Sequence, residues 1–321
     1  MKKTLHLSLL MLAICFTGCT PKTTERAAER EAGNAAEVIG LDIQTDKADS
    51  ADASSKTETS GEDLGSNSTN QPDEKQQYKI LAWNVELDGG ADPNVIARQM
   101  KDFEDYGIIA LMETTPEAFE VVKKSIKHKG ALSKSGRRIR LAILWDDAKF
   151  SIENFKELDD LNEDMKYRSP WTMLVKDLAT GRSFHLVTVH LARGWEGMRQ
   201  RQARGIRDWA REKSLPVVAI GDFNFDYVFA DEKGNEAFNQ FLEDGIMKWV
   251  RPEELIDTNW YDPEKDGVDN YPGSMLDFAF VAGPAKDWSP TCRVIVRDGD
   301  FPDDKKTSDH RPIELLLTPN R

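Results

Sequence analysis

The sequence predicts an α/β domain: two packed β-sheets with helices on their outer faces, at the C-terminal end of a 321-residue chain. Three observations predict it. Short apolar runs alternate with helical patterns twice, as in sheets whose neighbouring strands are joined through helices. Between these two groups lie paired runs separated by turn residues, which read as hairpins. Val217-Val218-Ala219-Ile220 has no polar residue, as expected of a strand covered on both faces. At roughly 245 residues after the N-terminal segments are set aside, one domain of this kind is sufficient.

The elements follow in order. Lys79 to Glu86 reads as the first strand. Asp92 before Pro93 is an N-cap followed by proline at the first helical position, with a helix running to about Glu104. Ile108 to Met112 is a short buried strand closed by Glu113. Thr114-Thr115-Pro116-Glu117 has capping-box spacing and opens a helix to about Lys127, stopped by Gly130. Arg140 to Trp145 and Ser151 to Leu158 read as strands paired around Asp146-Asp147. Trp171 to Lys176 and Ser183 to Leu191 form a hairpin with Thr180-Gly181 in its turn. Glu196 to Lys213 is helical and is followed by the strand from Val217. Gly221 lets the backbone leave that sheet and come close to something else. A helix near Glu236 to Leu242 and strands at Leu276 to Val281, Thr291 to Arg297 and Ile313 to Leu317 complete the domain.

The N-terminal part has a different character. Lys2 and Lys3 precede an apolar run, Leu5 to Phe16, too short to span a membrane as a stable helix. It ends Phe16-Thr17-Gly18-Cys19, which resembles a bacterial lipoprotein signal over residues 1–18, cleaved before a Cys19 that then carries lipid. An ordinary secretory signal is the alternative reading. Residues 19–77 read as a disordered acidic tether. Thr20 to Gln77 contains no aromatic residue and carries 13 acidic against 6 basic residues, a net charge of −7. Such a segment cannot bury enough apolar surface to offset ordering. The expected location is therefore export, with lipid anchoring to a bacterial membrane in the periplasm or at the cell surface; secretion is the alternative. Of the three cysteines, Cys15 leaves with the signal, Cys19 takes lipid and Cys292 has no partner, so no disulfide or cysteine metal site is expected.

From a net charge of −13, the domain of residues 78–321 keeps about −8. An acidic domain is a poor general binder of nucleic acid, so any phosphate it holds needs a metal ion or a local arginine cluster. The candidate polar groups all sit at strand ends. Asn84 and Glu86 share one face opposite Trp83 and Val85; Glu113 closes a buried run; His190 ends Phe184 to Val189. Asp222 and Asn224 share a face opposite Phe223, Asp277 lies within Ser274 to Val281, and Asp309-His310 precedes the last strand. Carboxylates with an amide oxygen are hard ligands suited to Mg²⁺, and histidines can neutralise or protonate phosphate oxygens. No HExxH, GxSxG or GxxxxGK[ST] pattern is present.

The blocks W-N-V-E at 83–86, M-E at 112–113, T-V-H-L at 188–191, G-D-F-N at 221–224, L-D-F at 276–278 and S-D-H-R-P at 308–312 together resemble the endonuclease/exonuclease/phosphatase superfamily. The resemblance covers nearly the whole domain in the family's order; Met112 stands where that family commonly has Gln. It implies a four-layer α/β sandwich, deoxyribonuclease I-like, and a divalent-metal phosphoesterase using Mg²⁺, with Mn²⁺ as the alternative. It implies Glu113 as the main metal ligand with Asn84, Glu86 and Asp309 on the metal side. It implies Asp222 as the residue that deprotonates the attacking water, Asn224 as a holder of nucleophile or phosphate oxygen, and His190 and His310 as phosphate contacts. Asp277 would orient His310. The leading substrate is a phosphodiester of nucleic acid, because His190 follows the nuclease-like pattern. A phospholipid or small phosphoester is the alternative, and a non-catalytic cell-surface binding module is the alternative of another class. The protein is expected to act as a monomer. Arg168 stands where the family often has a substrate-side arginine; a surface position is the alternative. Arg137, Arg138 and Arg140 read as a solvated turn, Arg199, Arg201 and Arg204 as helix surface, and His185 as structural.

Overall fold

The computed structural model describes residues 76–162 and 167–320. The signal and nearly all of the tether expected from the sequence lie outside the described residues. Two six-stranded sheets form the centre. The first contains β1 (Tyr78–Asn84), β2 (Ile108–Thr114), β3 (Lys129–Leu132), β4 (Arg140–Trp145), β11 (Thr291–Val294) and β12 (Ile313–Leu317), in the order β11-β12-β1-β2-β4-β3. The second contains β5 (Phe150–Glu157), β6 (Trp171–Asp177), β7 (Ser183–His190), β8 (Val217–Val228), β9 (Met247–Trp249) and β10 (Ser274–Ala282), in the order β5-β6-β7-β8-β10-β9. Both sheets are mixed: β1 runs parallel to β2 and β7 parallel to β8, while the other pairings are antiparallel.

Strand alternation builds the layers. Ile80, Ala82, Ile108 and Ala110 of the first sheet meet Leu186, Val218, Ile220 and Ala279 of the second in a shared core. The residues between them point outward. Leu81, Trp83, Ile109 and Leu111 pack under α1 (Pro93–Gln99) and α2 (Pro116–Lys123). Val187, Val189, Phe223 and Phe280 pack under α3 (Glu196–Arg211) and α4 (Glu236–Leu242). The result is the four-layer α/β sandwich that the sequence predicts.

Asp92 caps its helix as expected, accepting from the Asn94 backbone. The second helix is capped by Thr115, which accepts from the Ala118 backbone, and not by the Thr114 that capping-box spacing to Glu117 indicates; Thr114 still belongs to β2. Several sequence expectations are corrected. The strands on either side of Asp146-Asp147 do not pair: β4 pairs with β2 and β3, β5 with β6, so this turn carries the chain from one sheet to the other. The helix after Pro116 ends at Lys123, and Gly130 is no helix stop but part of the edge strand β3. Its site is tight: an added Cβ would come within 2.7 Å of Leu144 Cδ2 and 2.8 Å of Phe119 Cζ. The helix after Pro93 tightens into a 3₁₀ turn at Met100–Phe103. Gly221 does not take the chain out of its sheet, because β8 continues to Val228. It does mark a close approach: it has φ 142°, and an added Cβ would lie 2.3 Å from the Val189 carbonyl oxygen. Arg199 is buried at 8% exposure, not on the surface, and donates to the Ala192 carbonyl at 3.1 Å.

Candidate active site

Two parallel strand pairs bring their C-terminal ends to one edge of the sandwich, where strand ends and loops present side chains on a rigid frame. Asn84 ends β1 and Glu113 lies near the end of β2. His190 ends β7 and stands beside Asp222 of β8 in the pairing register. Asp277 of β10 stands opposite Asp222 on its other side. His310 precedes β12, and its backbone bridges to Asn259. The nine residues singled out in the sequence therefore come together from both sheets: Asn84, Glu86, Glu113, His190, Asp222, Asn224, Asp277, Asp309 and His310. Three of them leave the regular backbone to do so. Glu86, Glu113 and Asn224 have φ of 47°, 55° and 51°, the left-handed region that costs a non-glycine residue energy and recurs at functional sites. Around Glu113 the β2–β4 register shifts between Leu111 and Thr114, which turns its carboxylate toward the centre.

A buried histidine–aspartate pair forms one half of the site. Asp277 Oδ2 accepts from His310 Nδ1 at 2.7 Å. Burial alone would suppress a charge on His310, but the charge and hydrogen bond of Asp277, with Asp309 and Asp222, lift its imidazolium well above the usual histidine range. His310 Nε2 then faces Asp222 Oδ2 at 4.0 Å and Asp309 Oδ1 at 3.9 Å. Burial, followed by the charge of Asp277, pushes the Asp222 carboxyl up to about 6. Asn84 Nδ2 donates to Asp222 Oδ2 at 3.1 Å, and the Asn224 backbone N–H donates to its Oδ1 at 2.9 Å, so both oxygens are held. A carboxylate with this value is ionised at neutral pH yet still basic enough to accept a proton.

His190 behaves oppositely. Burial, then Arg168 and the other charges, hold it well below the usual histidine range, so it is neutral. Its nitrogens lie 3.5 Å from Glu113 Oε1 and 3.5 Å from Asp222 Oδ2. Arg168 Nη2 is 2.9 Å from His190 Nδ1 and 3.0 Å from Nε2. The guanidinium nitrogen is nearly equidistant from both ring nitrogens, so an arginine N–H is directed at the imidazole. The arginine left open by the sequence thus sits at the site.

The other half is carboxylate-rich. Burial first, then the neighbouring carboxylates Asp88 and Asp309, raise Glu113 to about 7 against the opposing pull of Arg168. Asp309 is raised to about 7 by burial and by Glu86 and Asp222, although 41% of its side chain is exposed. Glu86 is raised by burial and by Glu113, and its Oε2 accepts from the Asp309 backbone at 3.3 Å. Acids crowded this way resist ionising together at neutral pH, and a cation that joins them favours their ionised forms. A buried group of Asp222, Asp277 and His310, with ligand atoms within 4.8 Å of one another, could also hold a metal ion. In that group Asp277 Oδ2 is already engaged by His310 Nδ1.

Two site-lining residues were not singled out in the sequence. Arg193 donates to Asn224 Oδ1 at 2.9 Å and to Asp226 Oδ1 at 3.1 Å. The signal that finds them is the parallel pairing of β7 with β8, which places the residues just after His190 beside those just after Asp222. Among the arginines of the solvated turn, Arg138 lines a shallow cleft of about 320 Å³ with Leu87, Asp88, Thr115 and Glu117, next to the acidic half.

This arrangement accompanies a match to the model of the Endonuclease/Exonuclease/phosphatase family over residues 81–310. The chain belongs to this family. Its members are hydrolases acting on phosphoesters. Solved structures share the fold at low identity. An endonuclease/exonuclease/phosphatase family protein from Bacteroides thetaiotaomicron superposes with a TM-score of 0.59 at 18% identity, covering 77% of this chain and 99% of that one. A mannosyl-6-phosphatase from the same organism gives 0.54 at 18% identity over 75% of this chain and 99% of that one. TDP2 of D. rerio, complexed with single-strand DNA product, gives 0.59 at 18% identity over 75% of this chain and 98% of that one. No curated protein matches the chain.

Proposed function

We propose that the protein is a divalent-metal-dependent phosphodiesterase of nuclease-like type, exported and held at a bacterial membrane by lipid on Cys19. One observation carries the catalytic reading. A basic, ionisable Asp222 lies between a neutral His190 and an imidazolium His310 that is paired with Asp277, across from crowded carboxylates. A binding module has no use for three groups whose protonation states are set apart in this way.

Asp222 accepts the proton of the attacking water, and Asn224 holds that water or a phosphate oxygen. His310 carries its charge toward the phosphate oxygens, and Asp277 fixes its tautomer and supports that charge. Neutral His190, faced by Arg168, contacts the phosphate through a ring N–H. Glu113, Glu86, Asp309 and the amide oxygen of Asn84 offer the hard donors that Mg²⁺ prefers, with Mn²⁺ as the alternative; the histidine-containing Asp222 group suits Mg²⁺ less well. The bound ion would supply charge neutralisation at the phosphate, which lets an anionic substrate enter an acidic domain.

Nucleic acid leads among substrates, supported by the fold shared with a TDP2 that was solved with a single-strand DNA product. A phospholipid or small phosphoester is the second reading, favoured by the domain's charge of about −8, which opposes tracking along a polyanion. A panel of DNA, RNA, sphingomyelin, phosphoinositides and nucleotides, each with Mg²⁺ and with chelator, separates them. Mg²⁺-dependent cleavage of DNA or RNA is expected. Turnover of only sphingomyelin or phosphoinositides moves the assignment to the second reading, and no turnover of any member removes the catalytic one.

A further inference from the structure

Asn224 is held at every polar atom it has. Its backbone N–H donates to Asp222 Oδ1 at 2.9 Å, and its carbonyl accepts from Asn235 Nδ2 at 2.8 Å. Its side-chain Nδ2 donates to the Leu191 carbonyl at 3.0 Å, and its Oδ1 accepts from Arg193 Nη1 at 2.9 Å. Leu191 O can only accept and the guanidinium can only donate, so the two side-chain contacts select one amide orientation. That orientation leaves one Nδ2 hydrogen for a ligand. Arg193 is itself anchored. Its Nη1 also donates to Asp226 Oδ1 at 3.1 Å, and Asp226 Oδ2 accepts from Asn235 Nδ2 at 2.9 Å. Arg199 Nη2 lies 3.8 Å from the same Asp226 Oδ2 while its Nη1 donates to Ala192 O. The Arg193 side chain is 45% exposed, so it contributes little to the core.

We propose that Arg193 is a positioning residue that acts through Asn224: its guanidinium fixes the side-chain amide so that the free N–H points at the reacting phosphate or its water. This rests on the phosphodiesterase reading above. Among the described residues no other group donates to the Asn224 oxygen: Arg168 is directed at His190, and without Arg193 only the bond from Nδ2 to the Leu191 carbonyl is left to hold the amide about its last torsion.

The test is a double-mutant cycle on the full chain, with bis-p-nitrophenyl phosphate and Mg²⁺. Arg193→Ala is expected to lower kcat roughly ten- to a hundredfold, the scale of one charge-assisted hydrogen bond, with KM little changed and Tm within a degree or two of wild type. Arg193→Lys restores part of the loss. On an Asn224→Ala background, adding Arg193→Ala costs no more than a factor of about two, because the residue acts through the missing amide. Additive losses, or a rise in KM alone, overturn the proposal in favour of a direct substrate contact. The side-chain amide resonances of Asn224 give a readout independent of turnover. They shift or broaden in Arg193→Ala if the proposal holds, and unchanged resonances overturn it. Failure of the wild type to hydrolyse any phosphoester instead removes the phosphodiesterase reading, and these resonances still decide the positioning.

Discussion

Replacing Asp277 by Asn tests the electrostatic logic of the site. Asp277 is fully buried and accepts from His310 Nδ1 at 2.7 Å. The substitution keeps the shape and can keep a hydrogen bond but removes one charge felt by two groups. His310 loses its main support. A hydrogen bond to a charged group contributes about 1.5–3 kcal/mol, so losing the Asp277 charge lowers the His310 pKa. Asp222 is relieved of its nearest like charge, whose presence helps raise it to about 6, so its pKa falls as well. The signs follow from the proposed roles. With Asp222 as the ionised base, activity is lost as pH drops through its pKa. With His310 as the imidazolium, activity is lost as pH rises through its pKa. Asp277→Asn therefore moves both limbs of the kcat/KM–pH profile toward acid and lowers the neutral-pH rate by roughly a hundredfold or more. The assay is hydrolysis of bis-p-nitrophenyl phosphate with Mg²⁺ from pH 5 to 10. A slower enzyme with both limbs in their wild-type places refutes the reasoning and leaves Asp277 as a strut.

Other outcomes follow from single features. Gly221→Ala places a Cβ 2.3 Å from the Val189 carbonyl at a φ of 142°, so it should destabilise by about 2–4 kcal/mol and lower Tm by roughly 5–15 °C; calorimetry showing no change contradicts the close approach. Glu113 and Asp309 have pKa values raised to about 7 in the fold, from 4.5 and 3.8, so the folded metal-free protein binds more protons than the unfolded chain across that interval. Its stability accordingly falls as pH rises from about 4 to 7, Mg²⁺ restores it, and Glu113→Gln flattens the slope while weakening Mg²⁺ binding by at least roughly tenfold; a flat denaturant-midpoint profile without metal contradicts this.

The sandwich was legible because its strands carry unbroken apolar runs and its helices carry their caps in the sequence, as Asp92-Pro93 and Thr115-Pro116 show. The site was legible because six short polar blocks stand at strand ends, and local alternation already put Asp222 and Asn224 on one side of Phe223. What escaped was set by tertiary contacts. The turn at Asp146-Asp147 has hairpin chemistry, and only the second sheet's need for an edge strand sends β5 away from β4. β3 and β9 are too short to show a period. Arg199 is buried with its Nη1 donating to Ala192 O and its Nη2 3.8 Å from Asp226, partners that no helical pattern reveals. Arg193 carries no motif of its own and depends on the parallel register of β7 and β8.

The central claim is that Asp222 activates water at a phosphorus centre beside a bound divalent ion. It is tested most directly by hydrolysis of bis-p-nitrophenyl phosphate by wild type and Asp222→Ala, with Mg²⁺, with chelator, and with Mg²⁺ restored. Wild-type activity is expected to vanish with chelator and return with Mg²⁺, and Asp222→Ala to lose at least about a hundredfold at unchanged Tm. Activity that survives either the substitution or the chelator contradicts it.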